Sequence, residues 1–489
     1  MIKLFVDDTK PNRKKCVCPN CPSFPAGCSD ETLYCATGES HCDIHAKGCK
    51  CNKCPVFKEN SLKDIYFCNK EEMENIVMRK KNSDEEGEFY QTMADIKEVA
   101  DKGKSVVRSM GSLKKMPFSL SDLHFIPAQV NRIPLNIEDK VNTEVVIGSS
   151  CLKPLKVSSP IMISAMSFGA VSKKVKLIIS KVAADLKIGF NSGEGGILPE
   201  DIQNASKYLI AQYATGRFGI SDEALKNSAA IEIRFGQGAY PGKGSFLPAE
   251  KITPEIAKVR RIKEVESAYS PAHHQDMTTP EEIRDKISYL KALTKGIPIG
   301  AKIGCGNIED DIKVLVGCGV DFVTIDGFGA GTGATDYYVR KNVGIPLIAA
   351  IIRANKFLKK IDARNDVTLI ASGGLRTSAD FAKCLALGAD AVYIGTAALI
   401  AIGCQQNRIC QTGLCPTGIA THNPFLLEQL DVNEGIRKLT NFMKASTEEV
   451  ANLTRIVGKD DVNKLGIEDL VSLKKELSDL TGAKWIDGK

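Results

Sequence analysis

The sequence has no long apolar run and little excess of either charge. Its longest apolar stretch, residues 391–404, is shorter than the roughly 18 residues that a membrane-spanning helix needs. Basic residues number 65 and acidic residues 59, so the formal net charge is only +6 over 489 residues. Such a surplus is too dilute to favour nucleic acid or an anionic membrane as a partner. We therefore expect neither.

Signals for export and for nucleotide binding are also absent. Asp7 and Asp8 stand where a signal peptide would continue its apolar region, so we expect a cytoplasmic protein. No G-K-[ST] follows the glycine-rich run at 326–335, which argues against a P-loop. No G-x-G-x-x-G follows a predicted strand and opens a helix, so no nicotinamide site is expected either.

Cysteine, by contrast, is concentrated near the beginning of the chain. Ten of the 17 cysteines lie within residues 16–68, where the unit C-x-C-x-x-C occurs twice. In a reducing compartment such a cluster more often binds metal than forms disulfides, and bound metal would stabilise a segment with few large apolar residues. We predict that residues 1–70 form a metal-binding module with two [4Fe–4S] clusters; zinc and a disulfide framework are the alternatives. The candidate ligands are Cys16, Cys18, Cys21, Cys28, Cys35, Cys42, Cys49, Cys51, Cys54 and Cys68.

The remaining chain divides into three parts. Residues 71–120 are predicted to form a helical connector, with helices near 71–79 and 92–107, and residues 431–489 a helical C-terminal tail, with helices near 434–444, 447–454 and 467–480. Residues 121–430 alternate short β-branched runs with amphipathic segments, which favours a closed (β/α)8 barrel of the TIM type. An open doubly wound sheet is the alternative. The predicted strands are 161–164, 188–191, 230–234, 299–303, 322–325, 347–350, 369–371 and 391–394.

Two glycine-containing loops predict a phosphate site. Gly373 and Gly374 follow the strand at 369–371, and Gly395 and Thr396 follow the strand at 391–394. In barrels of this type, phosphate binds to the loops after the last two strands, where bare backbone N–H groups are accessible. A glycine after a strand is otherwise only a turn, so the prediction depends on the two loops occurring in tandem.

Charged side chains at other strand ends are candidates for chemistry. Glu194 lies among glycines in the run 191–197, which lets a ligand approach closely; a solvated loop carboxylate is the alternative. Lys302, near the end of the strand 299–303, is expected to face the barrel mouth, where a cation could stabilise a reduced flavin; a solvated lysine is the alternative. The run 326–335 is either part of the site or a flexible lid.

A second cysteine group follows the last predicted strand. Cys404, Cys410 and Cys415 precede Pro416 in a loop. Three thiolates suit a [3Fe–4S] cluster better than structural zinc, which prefers four ligands. Buried cysteines without a ligand are the alternative.

Taken in order, these motifs resemble the FMN-binding synthase domain of glutamate synthase, most closely its stand-alone archaeal-type large subunit. The resemblance covers residues 120–485. It implies a TIM barrel that holds FMN beside a [3Fe–4S] cluster, and a reaction in which the flavin reduces the imine formed from a 2-oxo acid and ammonia. The motifs are S-A-M-S-F-G-A at 164–170, N-S-G-E-G-G at 191–196, T-G-R-F-G at 215–219, G-Q-G-A at 236–239, G-T-G-A at 331–334, S-G-G-L-R-T at 372–377 and the cysteines at 404–415.

The resemblance also implies roles for individual residues. Glu194, Gln237 and Lys302 would be catalytic, and Glu194, Arg234, Gln237 and Tyr240 would bind substrate. The cofactor would be bound by Ala165, Met166, Ser167, Arg217, Gln237, Lys302, Gly331, Gly333, Gly373, Gly374, Gly395 and Thr396, with the [3Fe–4S] cluster on Cys404, Cys410 and Cys415.

Two positions depart from the family pattern. The family usually reads I-E-I-K and then Q-G-A-K-P-G, whereas this chain has Arg234 and Tyr240 in place of the two lysines. Arginine binds carboxylates through a bidentate fork and is not a simple substitute for lysine. We therefore expect either that the substrate carboxylates are held differently or that the substrate differs from 2-oxoglutarate.

We predict an iron–sulfur flavoprotein oxidoreductase that makes an amino acid such as glutamate. Electrons would come from a ferredoxin or a reductase subunit through the N-terminal clusters. No glutaminase region fits ahead of residue 120, so ammonia is expected from solution or from a separate glutaminase subunit, and an oligomer is expected. Two other functions remain open: transfer of an amino or alkylamino group, as in relatives that join methylamine to glutamate, and a non-catalytic electron-relay subunit.

Overall fold

The computed structural model describes residues 6–24, 31–38, 40–42, 44, 47–60, 62, 65, 67–69, 85–264 and 266–488, without the side chains of 85–90. Cys28 and the helix predicted at 71–79 lie outside the described residues. None of the helices within them combines the length and the apolar character that crossing a membrane requires.

Eight parallel strands close into a barrel, which confirms the predicted fold. Each strand pairs with the next in chain order, and β8 pairs with β1 to close the ring. The central positions of most strands are fully buried, as expected for a parallel sheet covered by helices on its outer face. The strands are β1 (Ile161–Ile163), β2 (Phe190–Asn191), β3 (Leu209–Ala214), β4 (Ala230–Arg234), β5 (Ile299–Gly304), β6 (Phe322–Asp326), β7 (Thr368–Ser372) and β8 (Ala391–Ile394).

Helices connect the strands and bury one apolar face each. Several begin at a side-chain cap, as at Ser172, Thr279 and Thr377, whose hydroxyl groups accept a backbone N–H of the first turn. The helices of the barrel region are Lys173–Leu186, Pro199–Ala205, Asp222–Lys226, Pro254–Arg260, Pro280–Thr294, Ile308–Gly317, Tyr337–Asn342, Leu347–Lys360, Ser378–Ala386 and Thr396–Ala401.

One predicted strand is wrong and one strand was missed. Residues 347–350 begin the helix Leu347–Lys360, whose apolar face is buried. A four-residue apolar run fits a strand or a buried helix equally well, and here the longer periodic pattern decides. The missed strand is β3 (Leu209–Ala214); with it, the barrel has eight strands.

A short hairpin closes the bottom of the barrel. Its strands Val145–Ile147 and Leu155–Val157 pair antiparallel, and their apolar side chains pack against interior residues such as Met162 and Phe322. With this end closed, the opposite end, where the strands terminate at their carboxyl ends, is left for ligands.

The C-terminal tail is only partly helical. The two helices predicted at 434–444 and 447–454 are one continuous helix, Val432–Ile456, which packs on the barrel. The helix predicted at 467–480 is wrong: Leu470–Ser472 is a strand between Leu123–Phe125 and Lys484–Trp485, and a helix follows only at Lys475–Thr481. Pairing with Leu123–Phe125 supplies the hydrogen bonds that override the helical pattern.

The residues before the barrel form short elements. The helices Lys10–Lys15, Tyr34–Thr37 and Pro55–Glu59 and the 3-10 turns Cys18–Asn20 and Cys51–Lys53 belong to the cysteine-rich segment. The helix Glu85–Lys102 follows, and the strand Val107–Arg108 then pairs with Thr335–Asp336 in the loop after β6. The connector thereby reaches the barrel mouth, although its predicted helix at 92–107 ends earlier than expected.

Candidate functional site

A cleft that is open to solvent lies at the carboxyl ends of the barrel strands. The structure brings almost all of the barrel residues that the sequence singled out to this cleft. They are Ala165, Met166, Ser167, Glu194, Arg234, Gln237, Tyr240, Lys302, Gly331, Gly333, Gly373, Gly374, Gly395, Thr396, Cys404, Cys410 and Cys415.

Arg217 is the exception. Its guanidinium donates to the Ala214 carbonyl, contacts His274 Nδ1 at 2.5 Å and pairs with Asp276 at 2.5 Å, while stacking over the Tyr213 ring. It does not line the cleft, so the structure gives no support to its predicted role in binding the cofactor. Its contacts instead hold the loop after β3 against the loop that contains His274.

The loop after β7 forms a glycine cradle of bare backbone that lines the cleft. Gly373 has a φ of +113°, and a Cβ there would lie 2.9 Å from the backbone of Gly327, so only glycine fits. Gly374 has a φ of +79° but faces open space, since a Cβ at this residue would have only a carbonyl oxygen, 3.9 Å away, as its nearest neighbour. The cradle therefore leaves room for a phosphate against bare backbone, as FMN would require.

The two departures from the family pattern contact each other. Arg234, at the end of β4, donates to the Tyr240 hydroxyl at 3.0 Å and pairs with Glu194 at 2.9 Å. All three side chains are buried. Burial disfavours the charge on Arg234, but the nearby charge of Glu194 and the hydrogen bond to the Tyr240 hydroxyl raise its pKa above the ordinary value. Arg234 therefore stays charged and is held by its neighbours in a fixed orientation.

The two carboxylate oxygens of Glu194 differ in their hydrogen bonding among the described residues. Its Oε2 accepts from the Ser245 hydroxyl at 2.5 Å as well as from Arg234. Its Oε1 is buried and has no hydrogen-bond partner among the described residues. A buried acceptor without a partner is costly, and this one lies in the wall of the cleft, where a bound N–H or O–H group would satisfy it.

Lys302 lies beside Arg234 at the floor of the cleft. The two residues are paired in register on the adjacent parallel strands β4 and β5. Lys302 Nζ lies 3.5 Å from Asp326, whose carboxylate also accepts the Gly238 N–H at 2.9 Å. The predicted position of Lys302 at the barrel mouth agrees with this geometry.

Two buried cations in the cleft were missed by the sequence analysis. Lys251 donates to the carbonyls of Ala170 and Cys410, and Arg260 donates to the Phe168 carbonyl and the Ser167 hydroxyl. Burial lowers the pKa of Lys251 to about 8 and that of Arg260 to about 10. Both lie in the long excursion between β4 and β5, where no strand end or glycine motif marks them.

The cleft as a whole favours anionic ligands. Five basic side chains line it, against the two acidic side chains Glu194 and Asp326. The basic residues are Arg234, Lys251, Arg260, Lys302 and Arg376. A phosphate and a dicarboxylate would both be electrostatically matched to this surplus.

The three cysteines of the 404–415 loop meet at one side of this cleft. Burial raises the pKa of the Cys404 thiol to about 12, and the neighbouring thiols of Cys410 and Cys415 contribute to this increase. The Cys410 N–H donates to the Ser109 hydroxyl at 3.2 Å, which ties the loop to the connector. Within the described residues, no three Cys, His, Asp or Glu side chains are arranged around one metal-ion position. A cluster differs in this respect, because its ligands bind different iron atoms and need not converge on one point.

The N-terminal cysteines surround a second, smaller cavity. Eight of them line it, together with the rings of Phe24, Tyr34, Phe57 and Phe67: Cys16, Cys18, Cys21, Cys35, Cys49, Cys51, Cys54 and Cys68. All eight thiols are free. The predicted ligand Cys42 is instead disulfide-bonded, which removes its thiol from the predicted metal-binding set, and Cys28 lies outside the described residues.

Comparison with known proteins assigns the barrel region to a protein family. Residues 90–460 match the family model described as the conserved region in glutamate synthase. The chain belongs to the glutamate synthase family. Residues 16–69 match a second model, a family of proteins of unknown function (DUF2769).

The chain spans different fractions of its relatives in the glutamate synthase family. The archaeal glutamate synthase [NADPH] of Methanocaldococcus jannaschii is 42% identical over 64% of this chain and 61% of its own length. The chain thus spans less than two thirds of that relative. An archaeal-type glutamate synthase [NADPH] of Dehalococcoides mccartyi is 31% identical over 95% and 93%. A glutamate synthase large subunit-like protein of Rhizobium meliloti is 35% identical over 81% and 95%.

Among solved structures, the flavin-binding domain of baker's yeast flavocytochrome b2 aligns with a TM-score of 0.47 at 18% identity, over 74% of this chain and 78% of that chain. A lactate oxidase of Pediococcus acidilactici aligns with a TM-score of 0.47 at 13% identity, over 73% and 84%.

Proposed function

We propose that the protein is an FMN-dependent, glutamate synthase-type oxidoreductase that makes glutamate from 2-oxoglutarate and ammonia. The observation that carries the proposal is the single cleft, which gathers the glycine cradle, Glu194, Lys302 and the cysteines of the 404–415 loop in a member of this family. 2-Oxoglutarate and ammonia lose water to form an imine. The imine carbon then gains a hydride and the nitrogen a proton, which gives glutamate. Bound FMN would supply the hydride.

The side chains of the cleft suit the binding of such a substrate. Arg234 and Lys302 present buried positive charge to the carboxylates. The Oε1 of Glu194 has no partner among the described residues and would accept an N–H from the nitrogen derived from ammonia. In this arrangement the two cations would hold the carboxylates, and Glu194 would fix the nitrogen of the imine.

The cofactor would be held by the groups that the sequence indicated, except Arg217. Gly373, Gly374, Gly395 and Thr396 would bind the phosphate through backbone N–H groups. Ala165, Met166, Ser167, Gly331, Gly333 and Gln237 would border the ring system, with Lys302 providing positive charge near it.

We further propose that iron–sulfur clusters bring in the electrons. Cys404, Cys410 and Cys415 would hold a [3Fe–4S] cluster, and the eight cysteines of the N-terminal cavity two [4Fe–4S] clusters. A cytoplasmic ferredoxin or reductase subunit would be the donor, ammonia would come from solution or a glutaminase subunit, and the protein would act as an oligomer.

Isotope labelling tests the reaction. The anaerobically purified, reduced protein is incubated with 2-oxoglutarate and 15N-ammonium, and we expect 15N-glutamate. Omission of ammonium is the control. A product that forms only when methylamine or a preformed amino acid replaces ammonium would refute the proposal and favour group transfer. No product with any amine would favour a relay subunit.

A further inference from the structure

The cysteine-rich segment is an internal repeat. Shifting its first cysteines by 33 positions superimposes them on its last ones. The first set is Cys16, Cys18, Cys21 and Cys35, and the second is Cys49, Cys51, Cys54 and Cys68. These eight are also the free thiols that line the N-terminal cavity.

The repeat extends to the backbone conformation. Each C-x-C-x-x-C unit forms a 3-10 turn, Cys18–Asn20 in one and Cys51–Lys53 in the other. The residues before these turns have nearly the same dihedral angles, φ −101° and ψ 5° at Val17 and φ −100° and ψ 8° at Lys50. In both units the second cysteine donates its N–H to the sulfur of the first, at 3.4 and 3.5 Å. The two halves therefore present their thiols in the same way.

The third cysteine of each half reaches across to the other half. The Cys21 thiol contacts the Gly48 carbonyl at 3.5 Å, and the Cys54 thiol contacts the Lys15 carbonyl at 3.9 Å. Gly48 directly precedes Cys49, and Lys15 directly precedes Cys16. These two contacts are equivalent under the 33-residue shift, so the crossing is a symmetric feature of the segment.

Apolar packing also brings together thiols from the two halves of the repeat. Cys54 packs in one apolar group with Cys16 and Cys35, whereas Cys49 and Cys51 pack in another beside Ile65. Cys35 lies within electrostatic range of Cys16 and Cys54. Cys68 lies within range of Cys21.

We propose that the eight cysteines form two crossed ligand sets, each binding one four-iron cluster. One set is Cys16, Cys18, Cys35 and Cys54; the other is Cys49, Cys51, Cys68 and Cys21. Each half of the repeat supplies three ligands to its own cluster and one to its neighbour's, an arrangement also used by two-cluster ferredoxins. The proposal rests on the N-terminal clusters put forward above and assigns their ligands. Cys28 and Cys42 fall outside the repeat and are not ligands.

Iron analysis of double variants tests the crossing. The full-length protein, purified anaerobically, should contain about 11 iron atoms per chain from two four-iron clusters and one three-iron cluster. Cys16→Ala/Cys54→Ala removes two ligands of one set and should cost about four irons. Cys16→Ala/Cys21→Ala removes one ligand from each set and should cost about eight. The reverse pattern would overturn the crossing in favour of ligand sets contained within each half.

Controls distinguish the loss of a ligand from misfolding and test whether the N-terminal clusters exist at all. Cys42→Ala should lose no iron, and the FMN content of each variant reports whether the barrel is intact. Should both double variants lose all N-terminal iron, single serine variants decide the question. Cys16→Ser and Cys54→Ser should then shift the same one of two reduced-cluster EPR signals, and shifts in different signals would overturn the crossing. A wild-type protein with only about three irons would refute the N-terminal clusters themselves.

Discussion

The contact between Arg234 and Tyr240 predicts that the two departures from the family pattern depend on each other. Arg234 uses its planar guanidinium to reach Glu194 at 2.9 Å, Tyr240 at 3.0 Å and Thr215 at 3.4 Å. A lysine keeps the charge but has only one ammonium group to donate. We therefore expect it to keep the ion pair with Glu194 and to lose the hydrogen bonds to Tyr240 and Thr215. Arg234→Lys should therefore cost activity, although it restores the residue usual in the family.

The structure gives the size of the effect. A hydrogen bond to a charged group contributes about 1.5–3 kcal/mol, and the bond to Tyr240 is the best that Arg234→Lys would lose. A total loss of about 2–3 kcal/mol lowers kcat/KM by about 30- to 150-fold, at about 1.4 kcal/mol per tenfold. Tyr240→Phe removes this same bond and should cost about 1.5 kcal/mol, the lower end of that range, or about tenfold.

The assay is the second-order rate constant with which 2-oxoglutarate and ammonium reoxidise the reduced protein. In the Arg234→Lys background the Tyr240 hydroxyl has already lost its donor, so Tyr240→Phe should cost almost nothing further. The same cycle measured on the free energy of unfolding is a readout independent of activity. Effects that add to within about 0.4 kcal/mol would mean that the two residues act independently and would refute the reasoning.

Three other predictions follow from the described contacts. Gly373→Ala should lower the FMN content of the purified protein, because its Cβ would lie 2.9 Å from Gly327, whereas Gly482→Ala, also at positive φ but in open space away from the cleft, should not. Burial lowers the pKa of His274 from 6.5 to about 3. Below pH 6.5, the unfolded chain therefore binds a proton at this histidine that the folded protein does not bind. Stability from this group is complete above pH 6.5 and should fall by about 2 kcal/mol by pH 5 in urea titrations; an equal fall in His274→Gln would contradict this. Cys410→Ser should block reduction of FMN by the protein donor while leaving direct chemical reduction intact, and unaffected transfer would exclude the relay.

Periodicity predicted the barrel but not each of its strands. Alternating strand and helix patterns suffice for the architecture, since they recur over the whole region. They do not suffice for a four-residue run such as 347–350, where only the helical periodicity that continues to Lys360 decides. The strand Leu209–Ala214 is fully buried, which removes the alternation that marks a half-exposed strand.

The candidate site was predictable where loop position fixes it. Gly373, Gly395 and Lys302 follow or end strands, and the carboxyl ends of all barrel strands meet at one mouth. Lys251 and Arg260 lie in the long excursion between β4 and β5, so only the folded chain brings them to the cleft. Arg217 shows the opposite case, because its motif lies near the cleft but its side chain turns to His274 and Asp276.

The most direct test of the central claim is flavin reoxidation in a stopped-flow experiment. The anaerobic protein is reduced with dithionite, freed of excess reductant and mixed with 2-oxoglutarate and ammonium, while flavin absorbance and glutamate are followed together. Glutamate synthase-type chemistry predicts rapid reoxidation with at least one glutamate formed per reduced flavin, and none when either compound is omitted. A flavin that stays reduced with both compounds present would contradict the proposed function.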